Sequence, residues 1–247
     1  MGHARYDKRM GFLNNKAAVV TGATKGIGRA IAEGLAHEGA GVVICGREEA
    51  STQAAVREMA GATGARVLGR ACDVRNRAEV AALFALSETE LGGVDIVINN
   101  AGVGKFSPVE TLAVEDWLLM LETNLTGVFH CCQEALPRMK KRGGGYLIQI
   151  GSLAGKNPFA GGAAYNASKF GLNGFAEAMM LDHRHDGIRV TNVCPGSVST
   201  DFSAGMAKAD WKIQPEDIRD IVLNLLRLPE RTLVSYLEVR PSRPPKK

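Results

Sequence analysis

The run Ala17-Ala-Val-Val-Thr21 passes directly into Gly22-Ala-Thr-Lys-Gly26-Ile-Gly28 and then into residues with helical spacing. A β-rich run that ends in three closely spaced glycines and reopens as a helix must turn sharply, and backbone without side chains at the turn lets another group come close. The free N–H groups at the start of the following helix carry positive partial charge, so an anion such as a pyrophosphate suits the space they face. A plain tight turn is the alternative that the motif alone leaves open. Glycine is in excess throughout, 29 of 247 residues against a usual share of ~7%, which agrees with many turns or with backbone held against a ligand.

The same strand-to-helix alternation recurs along the chain. Strands are read at 17–21, 41–45, 65–69, 94–98, 145–150, 188–193 and 234–239, and helices near 26–38, 48–60, 76–91, 115–141, 164–184 and 215–227. Several strands are apolar without alternation, as expected of parallel strands covered on both faces. The pattern predicts an α/β fold, a Rossmann-type doubly wound sheet of about seven mainly parallel strands with helices on both faces. No Pro-, Gly- or Ser-rich linker and no repeat divides the chain, so the expected organisation is a flexible N-terminal tail at 1–15, a single domain at 16–240 and a basic C-terminal tail at 241–247. Residues 197–214 are weakly periodic and read either as a mobile lid or as a surface loop.

The net charge of +4 is concentrated at the ends: Arg5, Lys8, Arg9 and Lys16 against Asp7 give +3, and Arg240, Arg243, Lys246 and Lys247 give +4, leaving −3 for the body. A nucleic-acid binder carries its basic stripe on the folded domain, so the ends read as solubilising and no nucleic-acid partner is expected. The five cysteines Cys45, Cys72, Cys131, Cys132 and Cys194 are odd in number and form no CxxC pair. They point to reduced thiols and to no metal site. No apolar run approaches the ~18 residues of a membrane span. No signal-type segment follows the charged start, and Tyr6 stands where myristoylation needs Ser or Thr. A cytoplasmic protein with no membrane partner is expected.

In a doubly wound sheet the ligand lies outside the carboxyl ends of the strands where strand order reverses, beside the first and fourth. Asn99-Asn100-Ala101-Gly102 ends the fourth strand. Its small residues allow close approach and its amides can bond backbone or ribose, although the same residues also make a good turn. Tyr165 and Lys169 stand four apart on a predicted helix and share a face, and Ser152 ends the fifth strand. Lowering a phenol from pKa ~10 to neutrality takes ~4 kcal/mol. An ammonium ~4 Å away supplies about 1 kcal/mol in water and about 4 kcal/mol at an effective dielectric near 20. One lysine therefore activates this tyrosine only in a site shielded from bulk water; otherwise the two are ordinary helical neighbours.

Together, TGxxxGxG at Thr21 to Gly28, NNAG at 99–102, Asn124, Ser152, Tyr165-Asn-Ala-Ser-Lys169 and Pro195-Gly196-Ser-Val-Ser-Thr200 closely resemble the short-chain dehydrogenase/reductase family, in particular its 3-oxoacyl reductase-like members. The resemblance runs from about Lys16 to about Glu238. It implies an oxidoreductase that transfers a hydride between NADP(H) and a small-molecule carbonyl or secondary alcohol substrate, the hydride being the cofactor's own chemistry. It also implies that Gly22, Thr24, Lys25, Gly26, Ile27 and Gly28 form the phosphate turn. Asp73 and Val74 would hold the adenine edge, Asn99, Ala101 and Gly102 would line the adenosine ribose, and Pro195, Gly196, Val198 and Thr200 would pass under the nicotinamide carboxamide. Tyr165 is implied as the general acid and Ser152 as a neutral donor to the substrate oxygen. Lys169 would bond the nicotinamide ribose and lower the Tyr165 pKa, and Asn124 would link Lys169 to solvent through a bound water. Many members are dimers or tetramers, so a homo-oligomer is expected. The apolar pattern Phe170, Leu172, Phe175 and Met179 suits either such a contact or an internal core.

The second strand ends in Cys45-Gly46-Arg47, without the acidic residue that binds a ribose 2′-OH. Arg47 and Lys25 are therefore expected at a 2′-phosphate, which favours NADP(H). The alternative is a pair of ordinary exposed cations in an NAD-dependent alcohol or hydroxy-acid dehydrogenase. The short lid argues against bulky substrates such as steroids, and Leu153, Phe159 and Phe202 are expected to flank the reacting oxygen as a partly apolar pocket. The end Arg240-Pro-Ser-Arg-Pro-Pro-Lys-Lys replaces the glycine-rich turn of many relatives. A non-catalytic dinucleotide-binding regulator has no need of Asn124, Ser152, Tyr165 and Lys169, and a Rossmann-like methyltransferase predicts neither NNAG nor YxxxK.

Overall fold

Each of the seven strands pairs only in parallel, as short apolar segments do when helices cover both faces of a sheet. A computed structural model describes residues 11–200, 202 and 209–245. The strands are β1 (Ala17–Val20), β2 (Gly41–Gly46), β3 (Val67–Ala71), β4 (Ile96–Asn99), β5 (Gly145–Ile150), β6 (Ile188–Pro195) and β7 (Tyr236–Val239). They form one sheet in the order β3-β2-β1-β4-β5-β6-β7, parallel at every step. The helices are α1 (Gly26–His37), α2 (Glu49–Thr63), α3 (Arg77–Leu91), α4 (Val114–Leu121), α5 (Gly127–Lys141), α6 (Ala163–His183) and α7 (Pro215–Arg227). Strand order reverses between β1 and β4, so the carboxyl ends of these two strands open a crevice.

Successive side chains along each strand point to opposite faces, and each face has its own core. Val20, Ile44 and Ile98 pack with Ile31 and Leu35 of α1 and Ile218 and Val222 of α7. Val19, Val43, Val97 and Val190 pack with Leu83 and Phe84 of α3, Cys131 and Met139 of α5 and Leu172 of α6. Both faces demand apolar residues, which is why the strands read as unbroken apolar runs. All five cysteines are unpaired and buried. Among the described residues no helix is long and apolar enough to cross a membrane.

The structure departs from the sequence reading in several places, and the fourth and seventh strands begin at Ile96 and Tyr236 rather than at 94 and 234. The third strand begins at Val67 rather than 65, because Gly64 in a left-handed conformation ends α2 and the Ala65 N–H is taken by Thr63 Oγ1 at 3.2 Å. The single helix expected over 115–141 is broken by a wide π turn at Glu122–Thr126, closed by the Gly127 N–H on Glu122 O. The tail expected at 1–15 is anchored from within: Leu13 is buried in the core, its N–H donates to Glu38 O at 2.9 Å, and the Arg227 guanidinium lies 4.5 Å above the Phe12 ring. In the segment read as lid or loop, Ser199 N–H donates to Ile213 O at 2.8 Å and Ile213 N–H to Ser197 O at 3.1 Å, which ties its two ends together. Residues 1–10 of the N-terminal tail, 201 and 203–208 of that segment, and 246–247 of the C-terminal tail lie outside the described residues.

Replacing Leu13 by Ala is expected to lower stability by about 2–3 kcal/mol, through lost burial and the cavity left behind. Urea unfolding checks this, and a loss well under 1 kcal/mol would show that the core does not extend to this segment.

Candidate active site

The glycine turn is held from the next strand over. Gly22 and Gly26 adopt φ of 62° and 60°, the left-handed region. A Cβ on Gly22 would stand 2.8 Å from Ala101 Cα. Asn100, just past β4, donates from Nδ2 to Thr21 O at 3.0 Å and Gly22 O at 2.9 Å, while Thr21 Oγ1 accepts the N–H groups of Asn100 and Ala101, each at 3.1 Å. The NNAG amides were open between backbone and ribose; that of Asn100 goes to backbone. Asn99 differs from expectation, since its side chain is buried and turned toward α5, with Nδ2 3.6 Å from Cys132 Sγ. Its side chain does not reach into the crevice, which leaves only its backbone, with Ala101 and Gly102, at that edge.

No side chain caps the start of α1 and its first turn carries no acidic residue, so its N–H groups are available to an anion. Across the crevice, Thr200 Cγ2 lies 3.4 Å from where a Gly26 Cβ would be. The Pro195–Thr200 strip therefore faces the glycine turn, and Ile27 packs against the core beneath it. Backbone cleared of side chains on one wall and a polar strip on the other fit an extended dinucleotide.

At the far end of the crevice, Arg47 is exposed just past β2, and Lys25 is exposed in the turn. Asp73 bonds Arg75 through Nε at 3.0 Å and a terminal nitrogen at 2.6 Å; that pairing, with a smaller contribution from Arg47, holds its carboxyl below the ordinary range. Val74 is buried, and its carbonyl lies 3.1 Å from His130 Nδ1. A Cβ on Gly46 would stand 2.5 Å from the Thr24 methyl, so an acid placed there to mimic an NAD site would displace Thr24 from the turn.

Helical spacing on α6 stacks Tyr165, Lys169 and Asn173 on one face. The Lys169 ammonium is buried and donates to Ile150 O at 2.9 Å. Burial lowers its pKa to about 8. Tyr165 is also buried, and burial raises its pKa while Ser152 works against the rise. Taking the phenolate out of water is the leading cause of that rise, and the Lys169 Nζ stands 5.9 Å from the ring centre. Ser152 accepts the Ala154 N–H at 3.1 Å at the head of the 3-10 turn Leu153–Gly155, which leaves its own proton to donate.

The π turn carries Asn124 inward. Its amide accepts Val103 N–H at 2.8 Å and donates to Val103 O at 2.9 Å and to Ser168 Oγ at 3.0 Å. Ser168 in turn donates to Tyr165 O at 2.7 Å, so Asn124 ties α6 to the loop past β4. Behind Ser152, Asn173 donates to Gly155 O at 2.8 Å and accepts from Asn192 at 2.6 Å. Ser168, Asn173 and Asn192 were not anticipated, because polar residues on a buried helix or strand face are visible only once the face is known.

Phe202 stands 5.8 Å from the Tyr165 ring, whereas Phe159 packs against Phe106 at 5.5 Å, and Leu153 packs toward Gly196, with Cδ1 2.9 Å from where its Cβ would be. Phe106, which the sequence reading missed, is closer still, its centroid 5.6 Å from that of Tyr165. A lone Phe in a polar loop carries no periodic signal. On α6, Leu172 and Met179 turn into the core whereas Phe170 is exposed, so the apolar pattern is mostly internal.

Residues 16–211 match the short chain dehydrogenase family, and the chain belongs to it. It is 39% identical over 216 residues to a Streptomyces coelicolor protein bearing the name of a ketoacyl reductase, covering 85% of this chain and 82% of that one. It is also 39% identical over 210 residues to a 3beta-hydroxysteroid dehydrogenase of Mediterraneibacter gnavus, covering 85% and 75%. Among solved structures it resembles an alcohol dehydrogenase of Thermococcus sibiricus complexed with 5-hydroxy-NADP, with TM-score 0.87, 28% identity, and 94% and 99% of the two chains covered. A metagenomic short-chain oxidoreductase in complex with NADP matches with TM-score 0.82 and 37% identity over the same shares.

The buried lysine yields a pH-dependent prediction. Its folded pKa of about 8 lies below the unfolded value, so the unfolded chain binds more protons between these values and stability rises with pH across that window. Below it the penalty is complete. Lys169→Met is expected to gain up to about 3 kcal/mol at pH 7, at 1.36 kcal/mol per unit, with the gain fading toward pH 10. Chemical unfolding of both proteins at the two pH values checks this; a variant less stable at pH 7 would contradict it.

Proposed function

We propose that this protein is an NADP(H)-dependent oxidoreductase that reduces a small-molecule carbonyl to a secondary alcohol, with Tyr165 as general acid. The observation that carries the reading is the convergence of Tyr165, Ser152 and a buried Lys169 at the crevice that the glycine turn opens. The amides of Gly22 to Gly28 would hold the pyrophosphate, with Thr24 and Ile27 shaping the turn, and Arg47 with Lys25 would hold a 2′-phosphate. Asp73, Val74, Ala101 and Gly102 would bound the adenosine, Lys169 would bond the nicotinamide ribose, and Pro195, Gly196, Val198 and Thr200 would face the carboxamide. When bound, the nicotinamide supplies or accepts the hydride. Two solved relatives hold NADP or 5-hydroxy-NADP, which supports the choice of cofactor.

The chain's own residues handle the proton. Burial keeps Tyr165 protonated at neutral pH, so it begins as a donor, the state that carbonyl reduction needs. Ser152 donates to the substrate oxygen as negative charge builds there. Lys169, still mostly cationic at pH 7 with a pKa of about 8, stabilises the tyrosinate that remains. Asn124 fixes α6 and offers the route by which a water-borne proton returns. We also infer a cytoplasmic homo-oligomer; exposed Phe129, Phe170 and Leu181 on α5 and α6 favour a second copy.

Tyr165→Phe is expected to cost about 10²- to 10⁴-fold in turnover while NADPH still binds by fluorescence titration; retention of half the activity would refute the assigned acid. Arg47→Ala is expected to lower kcat/KM for NADPH by about 10- to 100-fold, the weight of one or two charge-assisted bonds, and to change that for NADH far less. Equal efficiency of the unmodified enzyme with both cofactors would exclude the 2′-phosphate role.

A further inference from the structure

We propose that the substrate is an uncharged ketone with a flat ring, aryl or cyclic, next to its carbonyl, gripped by Phe106, Phe159 and Phe202. The proposal rests on the reading above that Tyr165 protonates a substrate oxygen. The three phenylalanines come from three separate loops, past β4, β5 and β6, with Phe106 and Phe202 on the Tyr165 ring and Phe159 on Phe106. Phe106 packs edge-on against Phe159 at 5.5 Å and against Tyr165 at 5.6 Å, and Phe202 lies 5.8 Å from Tyr165. All three stay 41–48% exposed, so folding does not use their remaining apolar surface. Exposed apolar surface gathered at a polar centre marks a ligand contact.

The arrangement is built rather than incidental. A Cβ on Gly104 would stand 2.9 Å from both Phe106 and Phe202, so only glycine lets the two rings approach there. The Ser107 N–H donates to Gly161 O at 2.9 Å, which ties the loop carrying Phe106 to the one carrying Phe159. Phe106 and Phe159 are therefore held together, with Phe202 facing Phe106 across Gly104.

The charges beside the slot do not suit an anionic carrier. Lys156 pairs with Glu238 at 3.2 Å and lies 5.7 Å from the Tyr236 ring, which among the described residues leaves Lys105 as a single exposed ammonium beside Phe106. One flexible cation makes no phosphate or carboxylate site comparable to a paired guanidinium. A rigid ring loses less conformational freedom on binding than an acyl chain, and each aromatic contact adds about 2- to 10-fold in affinity.

The test compares 1-phenyl-1,2-propanedione with 2,3-pentanedione, and with the acetoacetyl thioester of N-acetylcysteamine, by NADPH oxidation. The expected kcat/KM is at least about tenfold higher for the phenyl diketone than for the other two, on two or three ring contacts. Phe106→Ala and Phe159→Ala should each lower the phenyl-to-pentyl ratio about fivefold, on the loss of one contact, and Phe106→Tyr should restore it. Equal efficiency toward the two diketones, or an unmoved ratio in both alanine variants, overturns the proposal; should one variant fail to fold, the other decides. Saturation-transfer NMR of 1-phenyl-1,2-propanediol on the protein with NADP⁺ provides a readout independent of turnover. Ring protons saturated in the unmodified protein and lost in Phe106→Ala support the slot, and no ring saturation overturns it. If no carbonyl is turned over with either nicotinamide, the reductase reading falls, and the NMR result alone judges the slot.

Discussion

Everything in the crevice is arranged around one costly group, the Lys169 ammonium, buried and held by a single backbone carbonyl at 2.9 Å. A charge taken out of water destabilises the fold unless something repays it. Among the described residues no carboxylate offsets it, and burial is the leading cause of its depressed pKa. The low dielectric that makes this cation expensive is also what makes its field strong. A lysine exposed on the same helix would be cheap to keep and nearly useless to a tyrosine.

Fixing that cation takes most of the surrounding architecture. The long helix α6 sets Tyr165, Lys169 and Asn173 one turn apart; the π turn brings Asn124 to Ser168; and Asn173 with Asn192 locks the turn that carries Ser152. Each link joins a different element to α6. On the other side, Asn100 braces the glycine turn against β4, so the two walls of the crevice are positioned by separate polar clamps on one rigid sheet. This is the usual advantage of placing chemistry at the carboxyl ends of parallel strands: the scaffold is stiff while the loops vary.

What could be read from the sequence was what is local. The glycine turn, the strand ends and the i, i+4 pair each depend on residues within a few positions of one another, and all seven strands and the flanking helices were found, with only the helix over 115–141 in two pieces. What depended on tertiary packing was not legible. Phe12-Leu13 is a two-residue apolar run between Gly11 and Asn14-Asn15, too short to mark a core segment. Asn99 and Asn100 are adjacent and chemically identical, and only the strand's twist decides which faces the crevice. The Tyr165 pKa was argued from the lysine's Coulomb field, which spacing reveals, while the opposing desolvation depends on burial, which spacing does not. Phe106 was invisible because a slot made by three loops has no sequence period.

The central claim is that a buried, weakly held cation stands behind a protonated tyrosine. NMR titration of the protein with labelled Lys Cε and Tyr Cζ carbons, assigned with Lys169→Met and Tyr165→Phe, measures both groups directly. The account predicts a Lys169 midpoint near 8 and a Tyr165 midpoint above the ordinary tyrosine value. A Lys169 that titrates with the surface lysines near about 10.4, or a Tyr165 that loses its proton below about 10, would contradict it.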